Sequence, residues 1–238
     1  SLYNLKDAPD FDAFDPDSPG ASAGLNFEHI ISGHKNSNNA FTPRKGKFPM
    51  IVSADGHSVK LVREREDDPW AMSSTMTYTV EAPHYVDLDF RCRAHNRSLF
   101  GERGYAILFF ANYMNDVADP GLHFRGIDGP DRPESWISAD APPGHADWNQ
   151  GGTYRNSQAA ELEYDAELNF RLNSWSYEYP RYTLPFYYGR AANGMTLMMM
   201  FDRAYTVEDE IRFSLFKFKL QKSPRPAWDF QYVIRSIR

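Results

Sequence analysis

Apolar and polar residues alternate along much of the chain, with turn residues between the alternating stretches. In the stretch HYVDLDFRCR, His84 and every second residue after it face one side of an extended chain, while Tyr85 and its alternates face the other. Such a pattern is typical of a half-buried strand with a ladder of opposite charges on its wet face. Helical periodicity is weak, although SQAAELEYDAEL could form a turn or two. The pattern predicts an all-β protein.

Turn residues divide this pattern into eleven predicted strands. They cover residues 27–31, 50–53, 58–63, 73–80, 85–93, 105–113, 121–126, 186–190, 195–202, 210–220 and 228–237. Residues 1–24 are rich in Asp, Pro, Ser and Gly and are predicted to be an extended arm, followed by a single domain over residues 25–238. A polar excursion over residues 128–182 contains several aromatic residues, which favour a long, ordered loop insertion.

Two groups of segments resemble the concanavalin A-like jelly roll, a sandwich of two antiparallel sheets. The first group is VDLDFRCRA, GYAILFFANY and GLHFRG, and the second is GMTLMMMFDRA, IRFSLFKF and WDFQYVI. Glycoside hydrolases, polysaccharide lyases and lectins share this scaffold, so the resemblance implies a bent sheet with a concave face and a carbohydrate ligand. The fold alone does not fix the function.

The amino-acid composition limits the classes of partner that the protein is expected to bind. A net charge of −6 without a long basic run argues against nucleic acid, because phosphate binding relies on clustered Lys and Arg. No window approaches the roughly 18 apolar residues of a membrane helix, so no membrane partner is expected. Cys92 is the only cysteine, which excludes an intrachain disulfide. The chain begins without Met, as a mature form would, and a secreted or periplasmic location is slightly favoured over a cytoplasmic one.

The stretch FFANYMNDVADPGLHFRG contains the first candidate site. If Leu122 and Phe124 face the core, His123 and Arg125 share the opposite face of the strand. Histidine exchanges a proton near neutral pH, and arginine presents a fork of donors to a carboxylate. The alternative is a surface pair bound to a nearby acid. Three polar residues of the preceding connection are predicted to lie close to this pair: Asn112, Tyr113 and Asn115.

The segment YPRYTLPFYYGRAANG is the second candidate. Its tyrosines, including Tyr187 and Tyr188, can stack on pyranose rings, and Arg181 and Arg190 can bind hydroxyls or a uronate. FYYGRAANG also loosely resembles the Tyr- and Lys-containing final strand of jelly-roll polysaccharide lyases. The alternative is that the tyrosines pack a loop onto the sandwich.

The segment ELEYDAEL is the third candidate and resembles the E-x-D-x-E strand of retaining jelly-roll glucanases. The resemblance implies that Glu163 is the nucleophile, Glu167 the acid/base and Asp165 the residue that tunes their protonation. Alternate strand positions share one face, as a two-carboxylate mechanism requires. The flanking residues are poorly apolar, which favours a solvated acidic segment instead.

No cofactor is predicted with certainty. Metal spacings such as H-x-H are missing from the sequence, and so are nucleotide and serine-hydrolase motifs. The segment DFDAFDPDSPG offers oxygen ligands for a possible structural Ca²⁺, although its spacing is not that of an EF-hand.

These candidates predict a carbohydrate-active enzyme acting on a poly- or oligosaccharide. For β-elimination, an arginine and Asn112 would neutralise a uronate while His123 or a tyrosine removes the proton. For a neutral substrate two carboxylates are needed, and Asp229 and Glu163 are the named candidates. Trp148 is also predicted to bind the substrate. The alternatives are a lectin-like binding module and an assembly protein that uses a charged strand as its interface.

Overall fold

The computed structural model describes residues 3–4, 8–14, 24–35, 41–44, 48–140, 150–159, 178–192, 194–203, 209–219 and 224–235. In this part of the chain the protein is all-β with antiparallel sheets, which confirms the predicted class. Two short 3₁₀ helices, Arg65–Asp67 and Arg97–Arg103, connect strands.

Seventeen strands occur in the described residues. They are β1 (Tyr3–Asn4), β2 (Ala8–Asp12), β3 (Asn26–Ile31), β4 (Phe41–Pro43), β5 (Met50–Val52), β6 (Ser58–Arg63), β7 (Met72–Glu81), β8 (Tyr85–Ala94), β9 (Ala106–Ala111), β10 (Leu122–Ile127), β11 (Ser135–Ala139), β12 (Gln150–Tyr154), β13 (Arg181–Tyr182), β14 (Phe186–Arg190), β15 (Thr196–Met200), β16 (Asp209–Lys219) and β17 (Pro224–Ile234). Each of the eleven predicted strands overlaps one of them.

Three sheets build the body of the molecule. The largest has six strands in the order β12-β16-β17-β9-β3-β4. A four-stranded sheet has the order β5-β6-β7-β8, and a five-stranded sheet has the order β11-β10-β14-β15 with β13 also paired to β10. Strands β1 and β2, within the predicted arm, pair with each other, and Phe14 beside them is buried in the main core.

Both smaller sheets pack against the same face of the six-stranded sheet, in a two-layer sandwich. Phe27 of β3 contacts Phe90 of β8 edge to face at 5.3 Å between ring centroids. Tyr182 of β13 stacks on Phe213 of β16 at 3.8 Å. These contacts exist because alternate residues of each strand are apolar and point to one side. One core cluster therefore joins all three sheets.

The predicted loop insertion over residues 128–182 is wrong in part, because this segment contributes strands. β11 pairs with β10 along five residues, and β12 pairs with β16 along five. The sequence QGGTY of β12 is rich in glycine, which is depleted in strands, so its pattern gives no strand signal. Its pairing with the long β16 provides the missing stabilisation.

The second layer is divided by a groove of about 690 Å³. Within the described residues, β8 is hydrogen-bonded only to β7 and β15 only to β14, and these two open edges border the groove. Phe110, Phe230 and Tyr232 of the six-stranded sheet also line it. The two smaller sheets are thus side by side but not continuous.

Candidate functional site

The predicted site residues lie on two different surfaces. His123, Arg125, Tyr188 and Arg190 occupy the outer face of the five-stranded sheet, because their strand neighbours Leu122, Phe124 and Tyr187 are buried in the core. Asp229 instead lies on the outer face of the six-stranded sheet, on the other side of the sandwich. Packed sheets are about 10 Å apart, so the two groups are not combined into one site.

We call the first surface the platform: His123, Arg125, Trp136, Phe186, Tyr188 and Arg190. Its centre is the cross-strand pair His123 and Tyr188, whose rings stack at 4.9 Å. Asp119 Oδ2 lies 2.9 Å from His123 Nε2 and orients the ring. The sequence correctly placed His123 and Arg125 on one face away from Leu122.

Aromatic surface dominates the platform. Trp136 is 58% exposed and meets Tyr188 edge to face at 5.9 Å. The guanidinium of Arg125 lies over the Trp136 ring at 5.5 Å and donates to Glu134 Oε1 at 2.7 Å. The platform therefore offers a flat ring for stacking.

The ionic groups of the platform already have partners. The backbone N–H of Gly121 lowers the pKa of Asp119, and His123 and Arg190 lower it further. A hydrogen bond from Arg125 lowers the pKa of Glu134. With Arg125 bonded to a neighbouring carboxylate, the platform is better suited to binding than to proton transfer.

Several other predicted residues have structural contacts. Tyr187, predicted as catalytic, is wholly buried between the layers and donates to the Trp228 carbonyl at 2.9 Å, and burial raises its pKa well above the usual value. The Tyr187 hydroxyl is therefore bonded to the backbone inside the core and does not belong to the platform, and its catalytic role stays a prediction. Asn115 donates to the Asp12 carbonyl and Arg181 to the Glu178 carbonyl, both at 2.9 Å. Four predicted residues lie outside the described ones: Trp148, Glu163, Asp165 and Glu167.

The second surface is a buried polar face on the six-stranded sheet, formed by Thr153, Glu210, Arg212, Ser214, Asp229 and Gln231. One row across the strands runs from Thr153 to Ser214 and on to Asp229. In the next row Arg212 lies opposite Gln231. Alternation requires this arrangement, because the residues between them face the core.

Polar atoms on this face lack hydrogen-bond partners within the part of the chain that the structure describes. They are Thr153 Oγ1, Ser214 Oγ, Asp229 Oδ2, and Gln231 Nε2 and Oε1. All four residues are fully buried. Buried polar side chains nearly always have partners in native proteins, so a cluster without them calls for a polar occupant such as water or a ligand.

Asp229 is the titratable centre of this face. The backbone N–H of Asn112 donates to its Oδ1 at 2.6 Å, which leaves Oδ2 as the atom without a partner. Burial raises the pKa of Asp229 well above its usual value, and the charge of Glu28 raises it further. The carboxyl therefore gives up its proton less readily than an exposed aspartate does. The Asn112 side chain donates to the Trp228 carbonyl and accepts from the Leu25 backbone N–H. These bonds fix the backbone that holds Asp229, and the substrate-binding role of Asn112 stays a prediction.

Glu28 supplies a second carboxyl beside Asp229. The register of β3 shifts between Phe27 and His29, and such a bulge re-aims the extra residue, here Glu28. The Tyr113 hydroxyl donates to Glu28 at 3.0 Å. His29 Nδ1 is 3.3 Å from Glu28 Oε2, and burial lowers the pKa of His29, which keeps the ring neutral.

Sequence reasoning found Asp229 and Tyr113 but missed Glu28 and the polar floor of Thr153, Ser214 and Gln231. The sequence contained one signal that this face is covered. On β16 and β17 the positions that alternate with the core include Phe216, Ala227 and Val233, and apolar residues on a supposed wet face indicate that it is covered.

The described residues form neither a group of metal-ligating side chains nor a membrane-spanning helix. No group of three or more His, Cys, Asp or Glu there could hold a metal ion. Asp12, from the predicted Ca²⁺ segment, accepts the backbone N–H of Phe14 at 3.1 Å. No described helix has the length and apolar character needed to cross a membrane.

Comparisons with protein-family models, with curated proteins and with solved structures found no match to the chain.

Proposed function

We propose that this protein is a carbohydrate-active enzyme that binds a poly- or oligosaccharide on the buried polar face and hydrolyses a glycosidic linkage there. The scaffold in this proposal is a jelly-roll sandwich of the concanavalin A-like type, supported by the antiparallel layers and the long paired strands β16 and β17. The observation that carries the proposal is a set of buried polar groups that lack hydrogen-bond partners among the described residues and surround Asp229, whose pKa is raised by burial.

The chemistry of the floor fits a polyhydroxylated ligand. Hydroxyls from Thr153 and Ser214 and the amide of Gln231 can each donate and accept hydrogen bonds, as sugar hydroxyls do. Ligand hydroxyls would satisfy atoms that otherwise remain buried without partners. Because the face is fully buried, ligand entry requires the protein to open at this surface.

Asp229 and Glu28 supply the two roles of glycoside hydrolysis. Two carboxyl groups with different protonation states are the usual pair for this reaction. Asp229 Oδ2 donates its proton to the oxygen of the leaving sugar. The Glu28 carboxylate takes a proton from a water molecule, and the oxygen of that water forms the new bond to the anomeric carbon as the bond to the leaving oxygen breaks.

Incubation with neutral and uronate-bearing polysaccharides tests the proposal. New reducing ends without ultraviolet absorbance from an unsaturated sugar are expected for hydrolysis. Reducing ends accompanied by that absorbance would instead show β-elimination, and His29 and Tyr113 would then be the groups to examine. Neither signal with any substrate would overturn the enzymatic proposal.

The platform favours a second candidate function, non-catalytic glycan binding. Its exposed Trp136 ring is open on a flat sheet face, and Tyr188 and Phe186 support it edge to face. Aromatic rings of this kind stack on the apolar faces of sugars. Binding without turnover that is lost in Trp136→Ala would support this function.

A further inference from the structure

A group of three arginines surrounds one carboxylate at the edge of the buried polar face. Glu210 of β16 is fully buried, and Arg155 donates to it through Nε at 2.7 Å and Nη2 at 3.1 Å. Arg235 Nη2 lies 3.1 Å from Glu210 Oε2, and Arg212 Nε lies 3.3 Å from Oε1. The four side chains form the arginine cluster.

The arginine cluster has more positive than negative charge. Three guanidiniums and one carboxylate give a net charge of +2 for these four residues. Burial tends to raise the pKa of Glu210, but the charges and hydrogen bonds of Arg212 and Arg155 outweigh it, and the pKa lies below its usual value. Three guanidiniums thus share one carboxylate, and a guanidinium that has N–H donors left over can bind a further anion.

The nearest described acid on β16 does not neutralise the cluster. Asp209 precedes Glu210 and therefore points to the opposite face of the strand. There its Oδ2 is 3.1 Å from Arg203 Nη2 and accepts a hydrogen bond from the Tyr232 hydroxyl at 2.7 Å. Arg235, by contrast, has buried Nε and Nη1 atoms that lack partners within the described residues.

The arginine cluster continues directly from the proposed glycan floor. Arg212 lies opposite Gln231 in the register and two residues from Ser214, about 7 Å along the same strand face. A substituent on a sugar bound over the floor can thus reach the guanidiniums. Planar guanidiniums match carboxylate and sulfate oxygens in pairs.

We propose that the arginine cluster is a subsite for an anionic substituent of the glycan, a carboxylate or a sulfate ester, bound by Arg235 and Arg212. The inference rests on the proposed function, since it assigns the substrate class of the same face. An acidic glycan would add the negative charge that the cluster lacks among its own four residues.

Calorimetric binding of neutral, uronate-bearing and sulfated oligosaccharides to the wild type and to Arg235→Gln tests the subsite. Arg235→Gln keeps a polar side chain of similar length but removes the charge. We expect it to weaken binding of the acidic glycan by roughly 10- to 100-fold and to leave neutral glycans unaffected. Arg203→Gln, which removes an arginine bound to Asp209 outside the subsite, is the matched control and should bind like the wild type.

Equal binding of acidic and neutral glycans, unchanged in Arg235→Gln, would overturn the subsite but leave the proposed function intact. Failure to bind or cleave any glycan would overturn the proposed function. A second measurement does not need a glycan. Inorganic sulfate should raise the melting temperature of the wild type and Arg203→Gln more than that of Arg235→Gln, and equal shifts in all three proteins would contradict the subsite.

Discussion

The platform and the buried polar face present the same kinds of side chains in opposite circumstances. On the platform, His123 is oriented by Asp119 and Arg125 is bonded to Glu134, and the Trp136 ring is open to solvent. On the buried polar face, Asp229 and Gln231 are closed off from solvent and have polar atoms that find no partner among the described residues. The two surfaces therefore differ in whether their polar groups already have hydrogen-bond partners among the described residues.

The two surfaces also differ in what their polar groups contribute to the free energy of unfolding. An exposed ion pair contributes roughly 0–1 kcal/mol to stability, so the platform can hold its charges at little cost. A buried polar group without a partner costs about 1–3 kcal/mol. Thr153, Ser214, Asp229 and Gln231 have atoms of this kind among the described residues, and under the proposed function the ligand would supply their partners.

Of the substitutions that distinguish the two surfaces, the one with the largest expected effect is at Asp229, and the affected quantity is turnover. Asp229→Asn preserves the side-chain shape and the acceptor for Asn112 but cannot donate a proton from Oδ2. We expect turnover to fall by about 10²- to 10⁴-fold, as for loss of a general acid. Asp89→Asn, the same substitution at an exposed position on β8, is the control and should retain full turnover. Full turnover by Asp229→Asn would show that this face is not the catalytic site.

The stability of Asp229→Asn as a function of pH provides a second test of the buried polar face. Because the folded pKa of Asp229 is raised above its unfolded value of about 3.9, its favourable contribution is complete below that pH and is lost as pH rises through the folded pKa. We expect Asp229→Asn to gain stability relative to the wild type as pH rises, by about 1.4 kcal/mol per pH unit within that window. Denaturant unfolding at pH 4, 6 and 8 measures the difference, and a constant difference would show that Asp229 is ionised in the fold.

Removal of a single unpartnered hydroxyl should have a smaller effect. Thr153→Val is nearly isosteric and deletes only Oγ1. We expect the free protein to gain about 1 kcal/mol in unfolding free energy while its affinity for the glycan decreases. Thermal unfolding and binding calorimetry measure the two changes. Destabilisation of the free protein would mean that the hydroxyl has a structural partner.

The smallest effect is expected at the platform. Trp136→Ala removes an exposed ring and should change the unfolding free energy by no more than about 0.5 kcal/mol. If the platform only assists binding, affinity for a long polysaccharide falls roughly 2- to 10-fold, while turnover of a short oligosaccharide is unchanged. Loss of that turnover would place the catalytic site on the platform after all.

The fold was largely predictable because strand alternation is a local property. The core-facing residues of β8, β10, β16 and β17 follow a period of two, and each strand was recognised from it. β12 was missed because two of its five residues are glycine and its stability comes from pairing with β16.

The site was harder to predict because burial is a property of the whole molecule. In WDFQYV, alternation assigns Asp229 and Gln231 to the face away from the core, and that assignment is correct. These two positions alone describe a wet face equally well. The sign of a cover is the apolar Ala227 and Val233 on the same face, and the structure shows that the face is closed to solvent. His123 attracted attention because it stood among core residues, yet it belongs to the exposed platform.

The groove between β8 and β15 has a consequence for how the molecule opens. Backbone hydrogen bonds join the strands inside each smaller sheet, but in the described residues none joins the two sheets across the groove. Each small sheet can therefore separate from the six-stranded sheet without breaking hydrogen bonds to the other, so the second layer consists of two local unfolding units. Amide protons of β7 and β10 should then exchange with solvent at independent rates, and a ligand that protects one sheet need not protect the other.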